Sequence, residues 1–323
     1  MRVAALAPLA PVVALLLGAF APGDAHARRP ARPAEIWRGL DPARETAVAR
    51  GVVQLRTALA GRVRVAGATF RMGSSQVEMQ SAITLCEREV LKTFCSEPVL
   101  QNGIRAEGFA HQVQVDAFDL DRTEVTVGAY RRCVSAGVCA SPAFPPGDFR
   151  YDRPTLPVTH VSWQDAVTFC GWVSGRLPTE AEWELAARGV EGRVFPWGNA
   201  YNAHLCNHGA LAQDETDGSD GFVNLAPVGS FPDGATQLGI VDLAGNAAEW
   251  VFDLFDTDDQ NFGYPETPPG KPLLNPQGPQ TGVGHVIRGG SFAEGAAWVR
   301  GAARGKMAAS RAPTVGFRCA YAP

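Results

Sequence analysis

The feature that most constrains this chain is a long stretch with no period. From Gly192 to Gly284 the sequence passes through FPWGN, the polar run QDETDGSDGF and DLAGNAAEW, and few positions recur at the spacing of a helix or a strand. Ordinary connections run to about 4–6 residues, whereas this one extends to about 90. A ladder it does not form cannot fix such a backbone, so disulfides, metal ions or aromatic packing must hold it. With 46% hydrophobic and 19% charged residues among 323, the chain can still build a core, and Gly 35 with Pro 24 favours irregular connections over a helical bundle.

A formal net charge of −4 gives no broad basic field, which excludes nucleic acid as a partner. Residues 1–27, MRVAALAPLAPVVALLLGAFAPGDAHA, carry one Arg, an apolar run over Val12–Phe20 and the small-x-small ending Ala25-His26-Ala27. That is the pattern of a secretory signal cleaved before Arg28. The apolar run is short for a spanning helix of about 20 residues, and no other stretch is apolar enough to cross a bilayer. The expectation is a secreted or periplasmic protein with no stable membrane span after cleavage, its cysteines in an oxidising compartment. Cys 7 is an odd count, so at least one thiol is unpaired or pairs between chains. Local spacing suggests Cys86 with Cys95 and Cys133 with Cys139, and neither pair has the spacing of a metal knuckle.

Residues 28–61 read as an N-terminal extension in which residues 41–59 form an amphipathic helix, with Val48, Val52, Leu55 and Leu59 on one side. Val63–Met72 alternates like a strand, Ser75 to near Cys95 is helical with Ser75 and Glu78 as a capping pair, and His111–Leu120 alternates again. Thr126 caps a helix that stops near Gly137. Ser162 with Asp165, then Thr179 with Glu182, open two further helices, the second ended by Gly189. HVIRGG, WVRGAAR and VGFRCAYA read as three short strands, and no internal repeat is present.

Eight motifs occur in order: F-x-MGS over Phe70–Ser74, FDLDRTEVTVGAY, LPVTHVSWQDAVTFC, GRLPTEAEWELAARG, FPWGN, DLAGNAAEW, RGGSF and GFRCA. Together they closely resemble the formylglycine-generating enzyme, or sulfatase-modifying factor, family over residues 62–323. The resemblance implies an α+β, C-type-lectin-like fold, loop-rich, with short helices and small antiparallel sheets. It also implies a disulfide between Cys170 and Cys319. If all three pairs form, Cys206 is left over.

Oxidases of that family bind copper through two cysteines that follow the RGGSF-like strand, and use O2 to convert a substrate cysteine to formylglycine. Here RGGSFAEGAAWVRGAAR places Glu294 at the first of those positions and offers no thiol for the second. Cu(I) is soft and prefers sulfur, while a carboxylate is a hard oxygen donor, so copper is not expected.

The resemblance also implies two calcium sites. The first uses the Asn207 side chain, the His208 carbonyl, the Asp220 side chain and the Phe222 carbonyl. The second uses Asp242, the Gly245 and Ala247 carbonyls, and Glu249. Calcium takes six to eight hard oxygens of mixed carboxylate and carbonyl type, which suits both sets. Taken without the resemblance, DLAGN is a simple Asx turn and the acidic run a solvated loop. HLCNH, with His204, Cys206 and His208, has transition-metal donors but lies in a loop and overlaps the first calcium set, so zinc or iron is not expected.

Trp163, Trp172, Trp183, Trp197 and Trp250 read as core or loop staples, whereas Trp298 lies in the altered segment. Three functions follow. The leading one is a calcium-stabilised binding module whose pocket, formed by Ser291, Glu294, Trp298 and Arg300, takes a protein, peptide or carbohydrate. The second is an enzyme using Glu294 as acid or base, which lacks an identified partner group. The third is a formylglycine-generating oxidase working through a rearranged cysteine pair.

Overall fold

The alternating run Val63–Met72 breaks at Gly67, and that break sets the architecture. In the computed structural model the run becomes two strands, β1 (Arg62–Val65) and β2 (Ala68–Met72). A Cβ at Gly67 would lie 2.8 Å from the Ala117 nitrogen and 2.9 Å from the Val115 oxygen, so only glycine lets the two chain segments cross this closely. The second alternating run divides at the same crossing, into β3 (His111–Val115) and β4 (Phe118–Asp121). β1 pairs antiparallel with β4, Val63 opposite Leu120, and β2 pairs antiparallel with β3, Phe70 opposite Val113. Each run read from the sequence as one strand therefore serves two sheets.

The structure describes residues 61–89, 95, 103–209, 217–256, 264–265, 268, 270–308 and 310–323, all within the unit Gly39–Pro323. The secretory signal and the amphipathic helix of residues 41–59 lie outside the described residues. No helix among the described residues is long and apolar enough to cross a membrane.

Four helices follow the caps read from the sequence: α1 (Gln76–Glu89), α2 (Val127–Ser135), α3 (Trp163–Trp172) and α4 (Glu180–Arg188). The Thr126 hydroxyl accepts from Ala129 N, and Ser162 and Thr179 each close a capping box with the acidic residue three positions on. The remaining strands are β5 (Ala248–Leu254), β6 (Leu273–Leu274), β7 (His285–Arg288), β8 (Arg304–Met307), β9 (Val315–Gly316) and β10 (Ala320–Tyr321). They complete three small sheets, ordered β1-β4-β10, β2-β3-β6 and β8-β7-β5-β9. This is the expected α+β arrangement of short helices and small sheets, with the difference that β3–β6 and β5–β9 are parallel pairs. In WVRGAAR only Arg304 is in a strand, the residues before it being turns, and β5 is a strand inside the stretch read as irregular.

Helix α4 packs against β2, β3, β5 and β7, and every one of its residues is buried, charges included. Buried charges must be paired, and here they are. Glu180 accepts from Arg304 at 2.6 and 2.8 Å and from the Tyr264 hydroxyl at 2.9 Å, while Glu184 accepts from Arg288 at 2.7 Å and Arg188 at 2.9 Å. Disulfides join Cys86 to Cys95, Cys133 to Cys139 and Cys170 to Cys319. Cys206 is free and buried. The irregular region is held by side chains: Phe195 stacks on Trp197 at 5.1 Å, and the Asn246 amide bonds Asn207, Ala226 and Glu124, each at 2.9 Å. Asn246 holds φ 60°, the left-handed region where an Asn is tolerated better than most residues.

Candidate functional site

After β7 the chain turns through Gly289 and Gly290, at φ 88° and 66°, and enters the altered segment. A Cβ at Gly290 would meet the Trp298 carbonyl oxygen at 2.8 Å, so the segment folds back on itself tightly. Its tip is clamped from outside. Phe292 N donates to Asn246 O at 2.9 Å, Gly209 N donates to Glu294 O at 3.0 Å, and Ala296 N donates to both Glu89 oxygens at 3.0 and 2.9 Å. Glu89 ends α1, and burial raises its carboxyl above the usual range while the Ala296 hydrogen bond opposes the rise.

Glu294 and Trp298 meet at a cavity of only about 20 Å³, closed by Ala248, Ile287, Gly290, Ala303, Arg304 and Gly305. Such a space holds one water at most. Burial raises the Glu294 carboxyl, and a hydrogen bond with Ser291 opposes it. Trp298 packs beside the Cys86–Cys95 disulfide, and its buried Nε1 has no hydrogen-bond partner. Ser291 is buried next to Glu294, its hydroxyl accepting from Ala293 N at 3.3 Å. Arg300 is not in the group. Its guanidinium turns away to form a two-point pair with Glu107, at 2.8 and 2.5 Å, and its Nε donates to Ala297 O at 2.8 Å. No residue lining this cavity carries sulfur.

Three members of the first expected calcium set, His208, Asp220 and Phe222, meet through hydrogen bonds, and Asn207 adjoins His208 in sequence. Asn207 is buried, its amide nitrogen donates to Asn224 O and Asn246 Oδ1, and its Oδ1 is a buried acceptor with no donor. Asp220 accepts from His208 N at 2.7 Å and Phe222 N at 2.8 Å, which folds the 207–209 and 220–222 turns onto one carboxylate. Burial raises Asp220 and those two hydrogen bonds lower it. His208 is buried, with Nε2 unpartnered.

The second set is arranged differently. Both Glu249 oxygens receive Arg318, at 2.6 to 2.9 Å, and Trp183 Nε1 donates to the same carboxylate at 2.8 Å. Asp242, at φ 59°, accepts from Gly229 N at 2.6 Å. Beside it lies Glu124, buried, with one oxygen taking the Asn246 amide and the other, Oε2, unpartnered. Burial, then the charge of Asp242, hold the Glu124 carboxyl well above its usual range. Sequence reasoning missed Glu124 and Arg318, although both stand in quoted motifs, because neither motif shows which groups meet across 122 residues, as Glu124 and Asn246 do, or across 69, as Arg318 and Glu249 do.

Cys206 sits among Phe195, Ala244 and Val299, and burial pushes its thiol up to about 12. A thiol so raised is neither a nucleophile nor a ready metal ligand at neutral pH. Among the described residues no group of three or more His, Cys, Asp or Glu side chains could hold a metal ion by themselves, so a cation at either set would rely on carbonyl and amide oxygens.

The model of the sulfatase-modifying factor enzyme 1-like domain matches residues 50–323. The formylglycine-generating enzyme of Thermomonospora curvata is 41% identical over 192 residues, 55% of this chain and 59% of its own. The inactive C-alpha-formylglycine-generating enzyme 2 of Bos taurus is 35% identical over 184 residues, 54% of this chain and 53% of its own. The chain thus spans little more than half the length of these relatives. Among solved structures, PvdO from Pseudomonas aeruginosa superposes with a TM-score of 0.59 at 26% identity, covering 81% of this chain and 94% of PvdO. Treponema denticola variable protein 1 shares the fold at 19% identity, with a TM-score of 0.57 over 81% of this chain and 95% of its own.

Proposed function

This chain belongs to the sulfatase-modifying factor enzyme 1-like family, and from that premise we propose that it is an exported, calcium-stabilised member that has lost copper–thiolate oxidation and acts as a binding module. The observation that carries the reading is the altered segment. Where the resemblance calls for two thiols, Glu294 and Trp298 face a cavity of about 20 Å³ with no sulfur in its walls. Six cysteines are committed to disulfides and the seventh is buried with a raised thiol, so no second sulfur is at hand. The residues do not fit Cu(I). The family includes relatives named as active and relatives named as inactive, so the loss has a precedent in name.

Calcium is supported by the orphan Asn207 Oδ1, next in sequence to His208, whose backbone nitrogen bonds Asp220; a divalent cation would take these hard oxygens with the His208 and Phe222 carbonyls. At the second set Glu249 is saturated by Arg318 and Trp183, so a cation there would rest on the adjoining Asp242 and Glu124 carboxyls and the neighbouring carbonyls. Three disulfides accord with an oxidising compartment, secreted or periplasmic.

The binding surface would be centred on Ala293, Glu294 and Trp298, the half-buried residues of an otherwise buried 291–298 turn, since the cavity beside them is too small for more than water. Its partner class is a protein, peptide or carbohydrate. The raised Glu294 carboxyl favours a second reading, an acid–base enzyme, and one experiment separates the two. Purified protein is incubated with copper, O2 and a cysteine-containing sulfatase peptide, and captured partners from the exported fraction are compared for wild type and Glu294→Gln. The binding reading expects calcium without copper, no aldehyde, and partner capture in both proteins. Copper uptake with aldehyde formation overturns it, and turnover abolished by Glu294→Gln establishes the acid–base enzyme instead.

A further inference from the structure

We infer that the protein has a second ligand site, separate from the altered segment, that takes a neutral sugar. A cavity of about 220 Å³ opens where the β3–β4 turn, the start of α4 and the chain after β6 meet. Its walls carry Asp116, Arg176, Glu182, Asn275 and Gln277, and its apolar lining is Val115, Ala117, Leu177 and, as its one aromatic residue, Phe252. Phe252 is 40% exposed although it belongs to β5, whose other side chains are mostly buried.

Three properties of these walls select the ligand class. The first is charge. Arg176 is matched to Glu182 by two hydrogen bonds at 2.5 Å, leaving no unspent positive charge, while Asp116 adds a further carboxylate. Phosphate, sulfate and carboxylate ligands are therefore repelled, and the one carboxylate outside the ion pair, Asp116, is already engaged by the Asn275 amide.

The second is rigidity. Asn275 donates to Asp116 at 2.9 Å and accepts from the Asp116 nitrogen at 2.8 Å, and Glu182 also accepts from Thr179 N at 2.8 Å. Polar groups fixed in this way lose little freedom on binding and present carboxylate, amide and guanidinium edges in set directions. Such edges suit adjacent hydroxyls, each of which can donate and accept.

The third is the ring. A pyranose has one face of C–H bonds that lies flat on an aromatic surface while its hydroxyls point to the rim, and an exposed phenyl beside amides and carboxylates matches both parts. The aromatic surface continues beyond the cavity, since Trp163 lies 6.1 Å from the Phe252 ring and stacks on His285 at 4.0 Å. A chain of sugar units, rather than a lone one, would use that track. The site does not depend on the function assigned to residues 291–298, because none of those residues lines it.

The test is ligand-observed and protein-observed NMR on the full exported chain with methyl glycosides of glucose, galactose, mannose and N-acetylglucosamine, and with inorganic phosphate and benzyl alcohol as contrasting probes. At least one glycoside should bind with a Kd of about 1 mM, as expected for a ligand of this size in an open site. Phe252→Ala and Asn275→Ala should each weaken it by about tenfold, while Glu294→Gln leaves it unchanged. Both altered side chains are at the surface, and unchanged thermal unfolding would show that the variants remain folded. No glycoside binding at about 20 mM overturns the inference, as does binding that survives Phe252→Ala, or a preference for phosphate or benzyl alcohol. Loss of partner capture by the 291–298 turn would leave this result standing, so the two readings fail separately.

Discussion

Arg300 grips Glu107 across 193 residues of sequence through two parallel hydrogen bonds at 2.8 and 2.5 Å, with both side chains buried. Ser74 donates to the same carboxylate at 2.8 Å. The pair ties the altered segment to the turn before β3 and places Arg300 in the frame rather than in the pocket. Arg300→Ala strands a buried carboxylate, which costs about 3–5 kcal/mol. Urea unfolding should report that loss, while Arg64→Ala, which removes an exposed pair with Asp119, should lose under about 1 kcal/mol. A ligand defect in Arg300→Ala with unaltered stability would return Arg300 to the binding surface.

The disulfides differ in what they restrain. Cys170–Cys319 closes 149 residues and Cys133–Cys139 closes 6. By the chain-entropy relation the first is worth about 5 kcal/mol and the second about 2. Paired serine replacements followed by denaturant titration should rank them in that order. Equal losses would place the stabilisation elsewhere than in the unfolded chain.

The Cys206 thiol should be silent in the folded protein. Held up to about 12 by burial, it should resist iodoacetamide at pH 8 and react once the chain is unfolded without reductant. Mass spectrometry should find a single added group, on Cys206. Labelling of the native protein would show that the cluster around Phe195 opens.

Asp253 gives a pH dependence of definite sign. Burial, then the nearby Glu180 charge, raise its carboxyl from 3.8 to about 8. Because the folded value lies above the unfolded one, the folded state holds the extra proton between those limits. Its contribution is complete below about pH 4 and is lost as pH rises through about 8. Denaturation midpoints measured from pH 5 to 9 should fall with pH from this group, and Asp253→Asn should flatten that part of the slope. An unchanged slope would mean that Asp253 stays ionised.

Removing calcium should loosen the irregular region. Chelation should lower the melting temperature, and calcium should restore it better than magnesium, whose smaller octahedral shell suits carbonyl-rich sites poorly. Asn207→Ala and Asp220→Ala should each remove one bound equivalent by isothermal titration. If chelation leaves the melting curve unmoved, the Asn246 hub and the Phe195–Trp197 stack suffice without metal.

How much of this the sequence discloses depends on range. Thr126, Ser162 and Thr179 are legible as caps because the groups they satisfy lie three residues away. Gly67 is not legible as a crossing, since the alternation runs on through it and only the nearness of Ala117 reveals the change of sheet. β5 escapes notice because Ala248–Val251 and Asp253 are buried on both faces, leaving only Phe252 exposed and Leu254 half-buried, so no alternation runs through the strand. The Cys170–Cys319 pair and the two calcium sets come from resemblance alone. The position of Glu294 was legible, but the smallness of its cavity was not, because that depends on how Gly290 and Trp298 close over it. Arg300 was misplaced for the same reason that Glu124 was overlooked: each meets its partner more than a hundred residues away.

The double crossing has a mechanical consequence. The backbone passes from the β1–β4 sheet to the β2–β3 sheet twice, at residues 66–67 and 116–117, and the two passages touch. Tension applied along the final strand, β10, enters β4 and runs to β3 through that narrow neck. A methyl group added at Gly67 would wedge the passages apart, so a single-molecule pull on a Gly67→Ala chain should yield there first, at lower force, with the two layers parting along one seam.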